Sequence, residues 1–180
     1  MIYYILLGLA VVVFLFLIVV AVQPSQFSIS RSATVAAPPA TVFAHVNDFH
    51  KWEAWSPWAK MDPNAKNTFS GPDAGVGAAF TWSGNKKVGA GHMTITESRP
   101  SELIHINLEF ERPMKATNLS EFTFKPDGRK TVVTWTMSGK NCFMGKLFGL
   151  VMNCDKMIGG QFEKGLAQMK AVSETSLVAK

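Results

Sequence analysis

Residues 116–139, ATNLSEFTFKPDGRKTVVTWTMSG, hold two alternating runs with Pro126-Asp127-Gly128 between them. In the first run Asn118, Ser120, Phe122 and Phe124 share one parity. In the second, Val133, Trp135 and Met137 share one parity, and Thr134 and Thr136 take the other. Successive side chains on a strand point to opposite faces, so each run offers a bulky inner face to a core, and the Pro-Asp-Gly turn makes the pair a hairpin. The pattern continues upstream. LIHINLEF, residues 103–110, sets Ile104, Ile106, Leu108 and Phe110 on one face and His105, Asn107 and Glu109 on the other; Met93 with Ile95, and Phe80 with Trp82, extend the same inner wall. Ser83-Gly84-Asn85 and Arg99-Pro100 are equally short separators. The runs 76–82, 87–97, 102–111, 116–125 and 131–139 are therefore expected to form an antiparallel meander.

The flanks complete an architecture. FSISRSATV, residues 27–35, reads as a further strand, broken by Ala36-Ala37-Pro38-Pro39, and Ala40 to Asn47 forms a short helix burying Val42, Phe43 and Val46. From about Phe143 the period changes: Ile158, Phe162, Leu166, Met169 and Val172 are spaced as on one face of a long helix, with Lys156, Glu163, Lys164 and Lys170 mostly off it. Strand, small helices, antiparallel sheet and long terminal helix make an α+β domain in which the helix packs into the concave side of a curved sheet. Gly159, Gly160 and Gly165 give that helix a partly small surface opposite large rings, which leaves room for unfilled volume; a solid core is the competing expectation, because packing normally abolishes voids.

Ahead of this domain lies IYYILLGLAVVVFLFLIVVAV, residues 2–22, without one charged side chain. A helix of about 20 residues spans roughly the 30 Å hydrocarbon core of a bilayer, and Tyr3 and Tyr4 fall where interfacial aromatics sit. A cleaved signal peptide has a basic leader and a shorter apolar stretch, so residues 1–22 read as a retained single-pass anchor, 23–26 as a linker, 27–175 as the domain and 176–180 as a tail. The nearest positive side chains, Arg31 and Lys51, follow the anchor, and the positive-inside bias then points the domain to the cytoplasm. All 18 Lys and Arg and all 13 Asp and Glu also follow it, so the net charge of +5 belongs to a mildly basic domain suited to a membrane partner with anionic headgroups. Nucleic acid is a poor partner, since Lys86-Lys87 lies in a Gly-rich turn and the other basic residues are scattered. Nothing points to a protein partner. Cys142 and Cys154 would pair only in an exported domain and otherwise are two free thiols.

Several motifs carry a resemblance: ATVAAPPATVFAHVND at 33–48, WEAWSPWAKMDP at 52–63, GVGAAFTWSGN at 75–85 with VGAGHMTI after it, TVVTWTMSG at 131–139, and IGGQFEKGLAQMK at 158–170. The chain beyond the anchor resembles the polyketide cyclase and START-related superfamily, SRPBCC, in a branch with an N-terminal membrane helix. The resemblance implies a START-like helix-grip fold around a deep hydrophobic cavity, and thus a hydrophobic small molecule or lipid as ligand. It fixes no reaction, because the superfamily holds binders, transporters, cyclases and regulators.

Residue types suggest which side chains would meet such a ligand. Trp52 and Trp55, three apart, suit a plug against the sheet, and Trp58 is the better candidate for ligand or lipid contact. The inner wall adds Phe80, Trp82, Met93, Phe110, Phe122 and Trp135; the helix adds Phe162, and Asn118 and Ser120 are the inward polar groups. No catalytic residue is assigned: His105 and Glu109 share an outer face, His92 opposes Met93, and Asp48-Phe49-His50 precedes the tryptophans without a paired nucleophile. No metal-ligand spacing, phosphate loop or dinucleotide fingerprint is present, so neither metal nor cofactor is expected. Three functions remain: membrane-anchored binding of a hydrophobic small molecule or lipid, a cyclase or dehydratase type enzyme on an apolar substrate, and an interaction module with a filled core. Binding is favoured. The enzyme reading requires Asp48, His50, His92 or Glu97 to face a cavity.

Overall fold

The computed structural model describes residues 2–140, 146 and 154–178. Its elements are helix α1 (Ile2–Ala21), strand β1 (Gln26–Val35), helix α2 (Pro39–Val46), a 3-10 helix (Phe49–Ala54), strands β2 (Lys66–Ser70), β3 (Ala79–Ser83), β4 (Ala90–Arg99), β5 (Leu103–Arg112), β6 (Ala116–Asp127) and β7 (Lys130–Lys140), and helix α3 (Cys154–Val178). Cys142, the expected start of the last helix near Phe143, and the end of the tail lie outside the described residues.

Among the described residues, seven strands form one antiparallel sheet in the order β1-β7-β6-β5-β4-β3-β2. The long N-terminal excursion brings β1 beside β7, and β2 to β7 follow as a meander. Cross-strand pairs fix the expected inner face: Ile104 opposes Phe122, Phe122 opposes Trp135, and Ile106 opposes Ser120, which opposes Met137. α3 lies against this face. Phe162, Leu166 and Met169 are buried, and Ser173 rather than Val172 ends the stripe, as a continued 3.6-residue period requires. α2 closes one end through Val42, Phe43 and Val46, with Phe43 edge-on to Phe124 at 5.5 Å between ring centroids.

β2 lies outside the sequence expectation. KNTFS carries one large apolar side chain, every residue in it is exposed, and so no alternation betrays the strand. Residues 76–78, expected to begin a strand, instead form a turn with Gly75 and Gly77 at positive φ. The glycine-based expectation of free volume is also corrected. Gly159 is filled by the Arg31 guanidinium, and Gly165 by Trp135 and Pro57, so these positions admit side chains from elsewhere rather than leave space. A Cβ at Gly160 would meet nothing within 4 Å.

β1 is tied to α3 by Arg31, whose guanidinium donates to Asp155 Oδ2 at 2.8 Å and Glu163 Oε1 at 2.8 Å. These bonds hold the Arg31 pKa above its ordinary value and the Asp155 carboxyl below it. At the far end of α3 the Glu174 carboxylate accepts from Lys170 Nζ at 2.6 Å and from the Ala36 N–H at 2.7 Å, and these bonds keep it ionised below the ordinary glutamate range. α1 stands apart as an apolar helix with nearly all side chains exposed, long and apolar enough to cross a membrane.

Candidate functional site

The grip is solid at one end and hollow at the other. Between the sheet, the start of α3 and the residues after the 3-10 helix lies an open-mouthed cavity of about 760 Å³. Its wall is built strand by strand: Phe80 and Trp82 from β3, Met93 from β4, Ile106, Leu108 and Phe110 from β5, Ser120 from β6, Trp135 and Met137 from β7. All share the inner parity of their strands. Ile158 and Phe162 of α3 face them, and Phe49, Trp52, Ser56 and Trp58 close one side. The Trp135 ring stacks on Phe162 at 4.1 Å and 10°, joining sheet to helix, and Trp58 meets both rings edge-on at 5.7 and 6.3 Å. Gly91 allows the opposite wall: a Cβ there would strike the Trp82 ring, whose indole lies edge-on to Phe110 at 5.8 Å.

Nine of the expected contacts therefore line one space: Trp52, Trp58, Phe80, Trp82, Met93, Phe110, Ser120, Trp135 and Phe162. Three do not. Trp55 is fully buried behind the wall with its indole N–H donating to the His45 carbonyl at 3.0 Å, and Phe122, equally buried, stacks on the back of Trp135 at 4.8 Å. Asn118 turns its side chain over Gly139, its partner on β7. The tryptophan run thus divides: Trp55 is core, Trp52 is a wall with its N–H donated to the Val46 carbonyl at 3.0 Å, and Trp58 is the half-buried ring at the opening. Among the described residues Trp58 alone of the five tryptophans has no acceptor for its indole N–H.

Phe49, His50, Ser56, Phe69, Leu108 and Ile158 also line the cavity and were not among the expected contacts. Leu108 and Ile158 were legible as inward residues. Phe69 was not, because it belongs to the exposed edge strand; it reaches the cavity stacked on His50 at 4.1 Å and 22° and packed at 5.2 Å on Phe80, its partner on β3.

The polar groups gather at the mouth, where Glu53, Lys60, Asp62 and Asn67 surround the opening. Asp62 is structural: it accepts the backbone N–H of Asn85 at 2.6 Å and of Asn64 at 3.1 Å. His50 is the lining histidine, its Nδ1 3.0 Å from Asp48 Oδ1. Burial pushes the Asp48 carboxyl up, but hydrogen bonds from His50 and Lys51 outweigh it and hold the pKa below the ordinary value. Asp48, His92 and Glu97 do not line the cavity. His92 meets Glu109 at 3.3 Å, and His105 sits between Glu97 and Glu121 at 2.8 Å each, all on the outer face of the sheet. His45, on α2, is pushed down by burial and then by Lys51, which favours its neutral ring. Among the described residues no group of three His, Cys, Asp or Glu side chains could hold a metal ion.

Comparison with known proteins gives the same picture of the fold. Residues 26–174 match the family described as polyketide cyclase/dehydrase and lipid transport. Among solved structures, Zhui aromatase/cyclase from a Streptomyces species is similar over 84% of this chain and 96% of that chain, at 12% identity and TM-score 0.62. A protein from Chromobacterium violaceum covers 84% of this chain and 99% of its own, at 16% identity and TM-score 0.59. A Thermus thermophilus protein covers 83% and 99%, at 16% identity and TM-score 0.58. No curated protein matches by sequence.

Proposed function

The chain belongs to the polyketide cyclase/dehydrase and lipid transport family, and from that premise we propose that it binds a hydrophobic small molecule or lipid in the cavity beneath α3 while α1 holds it in a membrane. The observation that carries this reading is the cavity of about 760 Å³, which falls within the roughly 300–1,000 Å³ of ordinary ligand sites. Its wall is apolar and aromatic and its charges stand at the rim, so a ligand would bury apolar surface at about 25 cal/mol per Å² and keep any charged end in water. α1 supports the anchoring half by length and by its exposed apolar side chains.

Full-length protein in detergent micelles, titrated with N-phenyl-1-naphthylamine, tests the binding half. Trp58, Trp82 and Trp135 lie in the wall and would transfer excitation to bound probe. Leu108→Trp, which puts an indole into the cavity beside Met93, its partner on β4, should abolish the saturable transfer; equal signals from both proteins would remove the cavity as the binding site.

One observation favours a second reading as an enzyme: His50 lines the cavity and Asp48 orients its ring. An imidazole held in this way can act as a general base on a substrate bound at the mouth. On this reading, His50→Ala would stop conversion of a bound apolar substrate, followed by mass spectrometry, and leave its binding intact. A His50→Ala protein that converts as fast as the parent would end it. The interaction-module reading, which needs a filled core, draws no support from the hollow grip.

A further inference from the structure

The wall contributed by β3 to β7 is apolar except at one side chain. Ser120 sits on β6 between Ile106 of β5 and Met137 of β7, both of which line the cavity, and it is only 5% exposed. Its Oγ accepts the Trp135 indole N–H at 2.9 Å. A serine hydroxyl has one proton to give besides the lone pairs that accept, and among the described residues the Ser120 proton has no acceptor. A buried donor left unmade is costly, and the hydroxyl that serves the Trp135 N–H still lacks a partner for its own proton. The Trp135 N–H also polarises the hydroxyl it bonds, which makes Ser120 a better donor toward the cavity. Trp135 is itself fixed, stacked on Phe162 and on Phe122, so the Oγ that accepts its N–H is held at a set position in the cavity wall.

We propose that Ser120 is a specificity-determining residue: its hydroxyl donates to an oxygen acceptor on the inner end of the ligand. The ligand class is thereby narrowed to a largely apolar molecule whose buried end carries a carbonyl or similar uncharged acceptor. A pure hydrocarbon end leaves the Ser120 proton unpaired, and a carboxylate end would be buried without a counter-charge, since Lys60 and the other charged groups stand at the mouth. This rests on the cavity-binding reading above.

Fluorene and fluorenone test it, being flat tricyclic probes of nearly one shape that differ by a methylene against a carbonyl. Both are titrated into full-length protein in detergent micelles and followed by isothermal titration calorimetry against a micelle-only blank. The parent protein should bind both. Ser120→Ala should weaken fluorenone relative to fluorene by about threefold to tenfold, the range of one neutral hydrogen bond. Ser120→Thr keeps the hydroxyl and should restore the parent ratio, a rescue that mere support of Trp135 would not couple to the carbonyl. An unchanged ratio in Ser120→Ala overturns the role of Ser120 and leaves cavity binding standing. Failure of the parent to bind either probe overturns both.

Discussion

Gly160 and Gly165 lie on the same helix and meet opposite surroundings. A Cβ at Gly165 would sit 3.0 Å from both Pro57 Cδ and Trp135 Cζ3, while one at Gly160 would meet nothing within 4 Å. Gly165→Leu should therefore overpack the joint between α3 and Trp135 and cost about 1–3 kcal/mol, read as a lower melting temperature. Gly160→Ala should gain up to about 1 kcal/mol from helix propensity and leave probe uptake unchanged, because Gly160 does not line the cavity. Loss of uptake in Gly160→Ala would contradict the placement of the space. The sequence could not separate the two glycines. Whether a missing side chain leaves a void depends on which distant side chain enters it, and Arg31 and Pro57 arrive from other elements. Strand parity, in contrast, was legible at residue level for Phe110, Ser120 and Trp135, since a period of two ties every inner residue to its neighbours.

β1 and α3 are joined by charge as well as by packing, and that joint sets an acid response. Asp155 has its carboxyl held below the ordinary value of 3.8 by the Arg31 hydrogen bond, with burial opposing. A depressed carboxyl contributes stability that is fully present above its unfolded pKa and is lost as pH falls through the lower folded value. Between pH 6 and pH 3 the parent should lose more melting temperature than Arg31→Met, in which Asp155 has no cation to lose. Equal losses would show that the clamp contributes nothing, as many exposed ion pairs do. The elements themselves were readable wherever one face was buried: β4 to β7 and α3 announce themselves by alternation or by helical period. β2 has both faces in solvent and so has no pattern to read. The 3-10 helix is fixed by Asp48, whose side chain accepts the His50 N–H at 3.0 Å, and by tertiary contacts of Trp52.

At the scale of the whole molecule, two properties meet: an apolar helix of membrane length and a grip domain that is hollow beneath one end of its helix. Full-length protein should sediment with membranes, resist a high-salt wash and keep residues 2–21 when its intact mass is measured; a mass lacking them would make the segment a cleaved leader. The architecture was legible because the order of elements and the motifs agree, and the resemblance implied a cavity, but its position was not readable from the glycines, since a void is a property of packing that no single residue encodes. Native mass spectrometry of the full-length chain released from detergent tests the cavity claim most directly. The parent should carry one added apolar molecule per chain, displaced stoichiometrically by fluorenone, and Leu108→Trp should fly at its bare mass. A parent that stays at bare mass with fluorenone present, or a Leu108→Trp chain that carries the same adduct, would contradict the account.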